Sequence, residues 1–223
     1  MQNFATAAEI VAVVDIAAGN IRFVAGDKGE ATVEVRPADA SKGRDVKAAE
    51  EVEVGYADGV LRIATPAARN RVLGNSGVVE VGVRLPAGSR VEAKTAAGEL
   101  LGTGRLGNVV FEGAAGPVRL DEIAGGRIVL QAGSIAVGRL GDTAEIRTQK
   151  GDIDVAEAVR GTVTLRTEAG GITVGAARGT SATLDARTAF GRIANGLGNT
   201  EGADAGLRIH ADTSYGDITA RCV

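Results

Sequence analysis

Apolar and polar residues alternate along most of this chain with a period of two, the period of a half-buried β-strand. From Val91 to Val223 the alternation falls into seven rows, each a pair of short strands split by a turn. The second strand of each row opens on an aliphatic residue: Leu100, Val118, Ile135, Ile153, Ile172, Ile193 and Ile218, separated by 18, 17, 18, 19, 21 and 25 residues. A near-constant period of this length marks a chain that stacks one supersecondary unit on the next. The first strands align Val109 and Phe111 with Ile128 and Leu130, Ala144 and Ile146, Val163 and Leu165, Ala182 and Leu184, then Leu207 and Ile209. Two positions on stands a small residue (Gly113, Ala132, Thr148, Thr167, Ala186 or Ala211), which lets a row turn inward without overfilling. Most rows close on glycine, at Gly107, Gly125, Gly141, Gly161 and Gly179, where a backbone angle costly for other residues would explain the choice.

The predicted fold is therefore all-β: a β-solenoid, like a single-stranded β-helix, of about seven coils over residues 91–223. At ~4.8 Å per coil the rod is roughly 34 Å long. Residues 1–90 form a β-rich cap of short antiparallel strands and hairpins with one short helix. Its strands are read at residues 10–16, 20–24, 31–36, 52–54, 60–63 and 79–85, with Asp58-Gly59 as a hairpin turn. Ser41 is the expected N-cap of a helix over Lys42–Glu50. Pro66 to Gly77 reads as a polar connection. Only the row from Thr180 departs from the pattern, with longer turns and a polar insertion, Asn199 to Gly206, before the last coil.

Three segments carry a resemblance: Leu85-Pro86-Ala87-Gly88-Ser89-Arg90-Val91, Gly151-Asp152-Ile153-Asp154-Val155 and Gly216-Asp217-Ile218-Thr219. With them the chain resembles a widespread bacterial family of β-strand-repeat domains labelled "putative adhesins", a domain of unknown function. The resemblance covers most of the chain and implies an adhesin-like β-solenoid without established chemistry.

Composition narrows the chemistry. Aromatics make up 3% of residues and Trp is absent, so the core must be filled by Val, Ile, Leu and Ala. The net charge of −3 gives no basic surface for nucleic acid; Arg69 and Arg71 around Asn70 read as a solvated loop. One cysteine, Cys222, rules out an intramolecular disulfide framework or a cysteine-based zinc site. Met1 to Ile16 lacks a basic, then apolar, leader and no long apolar run follows, so a cytoplasmic protein without membrane insertion is expected.

Candidate sites resolve toward structure. Gly102 to Gly107 matches G-x-G-x-x-G, but a strand pattern follows where a dinucleotide site needs a helix. Asp152 and Asp154 are close enough for a carboxylate pair, as in polysaccharide-cleaving solenoids, yet lack aromatic walls and read as a solvated face. His210 aligns beside Asp185 with no nucleophile nearby, a surface pair. Phe190 and Tyr215 align as a stacked pair plugging a corner. No catalytic, cofactor or metal residue is predicted, and carbohydrate binding is left without support.

Two functions remain: a non-catalytic scaffold binding a protein partner, and self-assembly end to end through an uncapped last coil at Leu207–Val223. Leu207, Ile209, Tyr215 and Ile218 are the candidate interface residues. A carbohydrate-active enzyme is the remote third.

Overall fold

A computed structural model describes residues 1–6, 8–26, 29–66 and 77–223. The strands, in chain order, are β1 (Gln2–Ala5), β2 (Val11–Gly26), β3 (Glu30–Pro37), β4 (Glu53–Ala57), β5 (Val60–Ala64), β6 (Val79–Pro86), β7 (Arg90–Ala97), β8 (Leu100–Ala115), β9 (Val118–Ala132), β10 (Ile135–Leu140), β11 (Ala144–Lys150), β12 (Ile153–Ala158), β13 (Gly161–Ala169), β14 (Ile172–Ala176), β15 (Ala182–Phe190), β16 (Ile193–Gly196), β17 (Leu207–Tyr215) and β18 (Ile218–Cys222). One α-helix, α1 (Gly43–Glu50), and one 3-10 turn, Gly202–Asp204, complete the described elements. The protein is all-β, and its strands join in one open sheet.

From β7 onward the strand pairings are parallel, each strand bonding to its counterpart one row away. The aliphatic residues that open the second strands lie side by side: Leu100 on Val118, Val118 on Ile135, Ile135 on Ile153, Ile153 on Ile172. All are at most 1% exposed, because each has an aliphatic neighbour on both sides. A second ladder runs Ala93, Phe111, Ile128, Ile146 and Leu165 on the first strands. A third, at the far corner, stacks Leu106, Ile123, Leu140 and Ala158. All three ladders feed one hydrophobic core.

The stacking does not stop at residue 90. β2 pairs in parallel with β7 through Val11–Ala18 and with β8 through Ile21–Val24. On its other side it pairs in parallel with β5 and β6. β4 joins β5, and β3 joins β6 and β1, all antiparallel. The hairpin turn at Asp58-Gly59 forms as expected, both residues having positive φ (52° and 78°), which suits a two-residue connection between twisted strands.

Several expectations need correction. The helix begins at Gly43, and no side chain caps it; Ser41 instead donates its backbone N–H and hydroxyl to the Asp39 carboxylate. That contact shapes the turn before the helix, so Ser41 cannot also serve the helix amides. β1 had no counterpart in the sequence reading. The register of three rows shifts by two residues: Gly126, not Ile128, lies beside Val109, and Ile209, not Leu207, lies beside Val163. Leu184 lies beside Ile209 and Ala182 beside Leu207, as aligned, so these two rows shift together against Val163 and Leu165. Because side chains alternate with period two, such a slip keeps every apolar residue on the core side. The 66–77 connection and the Arg69–Arg71 cluster lie almost wholly outside the described residues.

Spatial order departs from chain order at one place. β17 pairs with β13 on one side and β15 on the other, and β18 lies between β14 and β16. The chain therefore lays down β15–β16 one row too far out, then returns and inserts its last row into the gap. The physical reason sits at Asn195. Along the inward column its counterparts are Leu120, Val137, Val155, Val174 and Ala220, whereas β16 offers an amide. Buried between rows that amide would lose its water. At the end of the stack it stays exposed and accepts the Leu197 N–H.

Candidate functional site at the open end of the sheet

The end of the stack formed by β15 and β16 is where the described surface offers most to a partner. Neither strand has a hydrogen-bonded neighbour beyond β17 and β18 among the described residues. Its inward side chains are correspondingly uncovered. Leu184 and Ala186 are half-buried where their equivalents one row in, Ile209 and Ala211, are at most 2% exposed. Ile193 is 47% exposed, against 0% for Ile218 beside it. Phe190 and Tyr215 stack face to face at 5.0 Å and 7° between planes. They do not plug a corner: they stand 65% and 60% exposed, since the row that would cover them is missing. Among the described residues, three of the five large exposed hydrophobic ones thus gather at this end.

Of the four interface residues expected from the sequence, Tyr215 belongs to this surface. Leu207, Ile209 and Ile218 are buried between neighbouring rows. An uncapped end exists, but it is Ala182–Gly196 and not Leu207–Val223. The signal that could have located it was Asn195 in an apolar column, together with the long insertion that the return path requires.

That return path is pinned by Ser181. Its buried hydroxyl accepts the Thr200 and Glu201 backbone N–H groups and lies 3.2 Å from the Asn199 side-chain oxygen. Asn199 in turn accepts the Gly202 N–H at 2.7 Å. On the outward side of β15 sit Asp185 and Arg187, 3.5 Å apart. Asp185 is also 3.6 Å from His210 Nδ1, so the aligned His–Asp surface pair is present.

The remaining sequence candidates are occupied structurally. Asp152 accepts the Gly171 N–H of the next row at 2.8 Å, and Asp217 accepts the Arg192 N–H at the same distance. Asn20 and Ser134 hold Glu99 and Asp152 in the equivalent way. The residues after Gly19, Gly133, Gly151 and Gly216 thus latch onto the next row, and Asp152 is one of these. Asp121 accepts the Gly104 N–H. Gly102 to Gly107 lies inside β8, where a Cβ on Gly102 would come 2.6 Å from Leu120 Cδ2 and one on Gly107 would come 2.3 Å from the Gly88 oxygen. Outward charges pair from row to row: Arg127 with Glu145, Arg139 with Glu157, Arg160 with Asp142. The Thr143 backbone N–H, then Arg160, hold the Asp142 carboxyl below its ordinary value. Among the described residues no three His, Cys, Asp or Glu side chains converge as a metal site, and no helix is long and apolar enough to cross a membrane.

No protein-family model matches the sequence, and no curated protein is similar to it at a significant level. Solved structures do match. A "putative adhesin" from Bacteroides fragilis aligns with a TM-score of 0.61 at 14% identity, over 98% of this chain and 95% of its own. The fold is that of the bacterial "putative adhesins". A "putative cell adhesion protein" from Clostridium sporogenes (12% identity, 96% and 93% coverage) and a "putative adhesin" from Parabacteroides distasonis (16%, 100% and 95%) align more loosely, both with TM-scores of 0.41.

Proposed function

We propose that this protein is a non-catalytic, adhesin-like interaction scaffold. Its rows wind as a β-solenoid of about seven coils, and its open end, β15–β16 with the Phe190–Tyr215 stack, is the surface that engages protein. One observation carries the reading: strand edge, apolar core and an aromatic pair are uncovered together at one place, whereas in the middle of the stack outward charges such as Arg127 with Glu145 and Arg139 with Glu157 pair across rows. An unpaired edge with an apolar interior is a template for another strand. Exposed aromatics supply the buried anchors that dominate protein interfaces. Of the two carboxylates that could have served hydrolysis, Asp152 is instead latched onto the Gly171 backbone amide, which supports a structural role for it.

Photo-crosslinking tests this directly. A benzoylphenylalanine placed at Ala189, on the open end, should give discrete protein adducts in the native cell, identified by mass spectrometry. The same group at Glu157, in the middle of the charge ladders, should give few. The Phe190→Ser/Tyr215→Ser double variant should lose the adducts. Equal labelling from both positions, or none from Ala189, would overturn the reading.

A further inference from the structure

We infer that the partner at the open end is a second copy of this chain, joined two-fold by antiparallel pairing of β15 with β15 of that copy, centred on Ala186. This deepens the interaction reading above and rests on it. The charge pattern of β15 selects both partner and register. In a two-fold antiparallel pair centred on Ala186, Asp185 of each copy faces Arg187 of the other, on the outward side. Leu184 then faces Thr188 and Ala186 faces itself, all on the core side, so the half-buried residues of the open row are covered by their own equivalents. Centring the pair on Asp185 or on Arg187 would set like charges against each other, which destabilises a sheet. Centring it on Leu184 or Thr188 leaves both charges without an opposite partner. Only the Ala186 register uses the device that the protein already uses between its rows, as in Arg127 with Glu145 and Arg139 with Glu157.

The symmetry of the arrangement also follows from the fold. The opposite end is finished by antiparallel strands, β4 on β5 and β1 on β3, with α1 packed against β3 and β6. The two ends are unlike, so an isologous contact of the open end closes at two copies and does not propagate.

Sedimentation equilibrium of the purified chain from about 1 µM to about 100 µM, a window that brackets micromolar association, should show a monomer–dimer equilibrium. Asp185→Arg and Arg187→Asp should each weaken it about tenfold, since each variant places two like-charge contacts in the symmetric interface. Combining them should restore dimerisation to within about threefold of wild type, because the pairs reform with reversed sign. Circular dichroism keeps folding in view. Should a charge variant fail to fold, a Cys222→Ser background carrying Ala186→Cys supplies a second readout. Cysteines at 186 should crosslink copy to copy on mild oxidation, whereas cysteines at 189, which face residue 183 of the other copy, should not. A strict monomer, a double charge variant as weak as either single one, or equal crosslinking from both positions would overturn the inference. If the chain is monomeric while Ala189 adducts contain a different protein, the interaction reading stands and the self-pairing falls. If Ala189 gives no adduct and the chain is monomeric, both fall.

Discussion

The tightest packing in this protein involves backbone, not side chains, and it is carried by single residues. Gly151 has φ 142°, and a Cβ there would sit 2.1 Å from the Gly133 carbonyl oxygen of the adjacent row. Gly116 is held likewise against Gly98, with φ 128° and a Cβ contact of 1.9 Å. Gly151→Ala should therefore destabilise the fold by about 2–4 kcal/mol, since both the angle and the contact oppose a side chain; urea denaturation measures it. Beside these glycines the Thr167 hydroxyl donates to the Gly151 oxygen at 3.0 Å, as Thr148 does to Gly133 and Thr213 to Gly170. Thr167→Val preserves the shape and should cost about 1 kcal/mol. At the helix start, the Ser41 hydroxyl, helped by Lys42, lowers Asp39 to a pKa of about 2. A depressed carboxylate contributes stability above its unfolded value, and that contribution is lost as pH falls through the folded one. The contribution of this turn should thus be complete above the ordinary value of 3.8 and fade as pH falls from there to about 2. An NMR titration of Asp39 should show that midpoint, and Ser41→Ala should move it up toward the ordinary carboxylate value. The sequence reading found glycine corners at Gly107, Gly125, Gly141, Gly161 and Gly179 for a backbone angle, but of these only Gly161 and Gly179 have positive φ. At Gly125 the constraint is the Thr143 oxygen 2.5 Å from a would-be Cβ. Proximity of a neighbouring row is invisible within one row, which is why the corner positions were legible and the contacts that require glycine at Gly107 and Gly125 were not.

At the scale of the elements, alternation and the row period located nearly every strand from β7 onward, and the ladder of Leu100, Val118, Ile135, Ile153 and Ile172 came through intact. These are local patterns, and local patterns survive folding. What alternation could not supply was register, because a slip of two residues leaves the pattern unchanged, nor the order of the last two rows. Stacking order is decided by which row can bear exposure, and Asn195 makes that β15–β16. Hydrogen exchange gives the clearest check. Amides of β17 and β18, near the C-terminus but enclosed on both sides, should exchange far more slowly than those of β15 and β16. A gradient that instead follows chain order would contradict the inserted row. The inserted row also depends on its return path. Ser181→Ala removes the acceptor for two backbone N–H groups and should cost about 1–3 kcal/mol, with the exchange increase concentrated in β15, β16 and the 197–206 segment.

For the whole molecule, unlike ends set what assembly is possible. The β15–β16 end exposes a parallel edge and apolar residues, whereas the other is closed by hairpin strands and a helix whose buried Asp45 accepts the Val78 N–H. Head-to-tail growth would have to lay β15 against an edge of antiparallel strands, with no matching column of inward residues to continue the core. Two-fold closure instead sets Leu184 against Thr188 and Ala186 against itself, so the inward side of β15 is covered by the other copy. Stability should then be linked to association: a contact formed only by folded chains raises the unfolding midpoint as concentration rises. Scanning calorimetry should find the wild-type midpoint climbing over a hundredfold range of about 1–100 µM, while Arg187→Asp should need about tenfold more protein for the same rise. Light scattering over the same range should level off at twice the 22.5 kDa chain mass. Continued growth past that plateau would mean that the hairpin end accepts a partner too, and that the antiparallel strands do not close the stack.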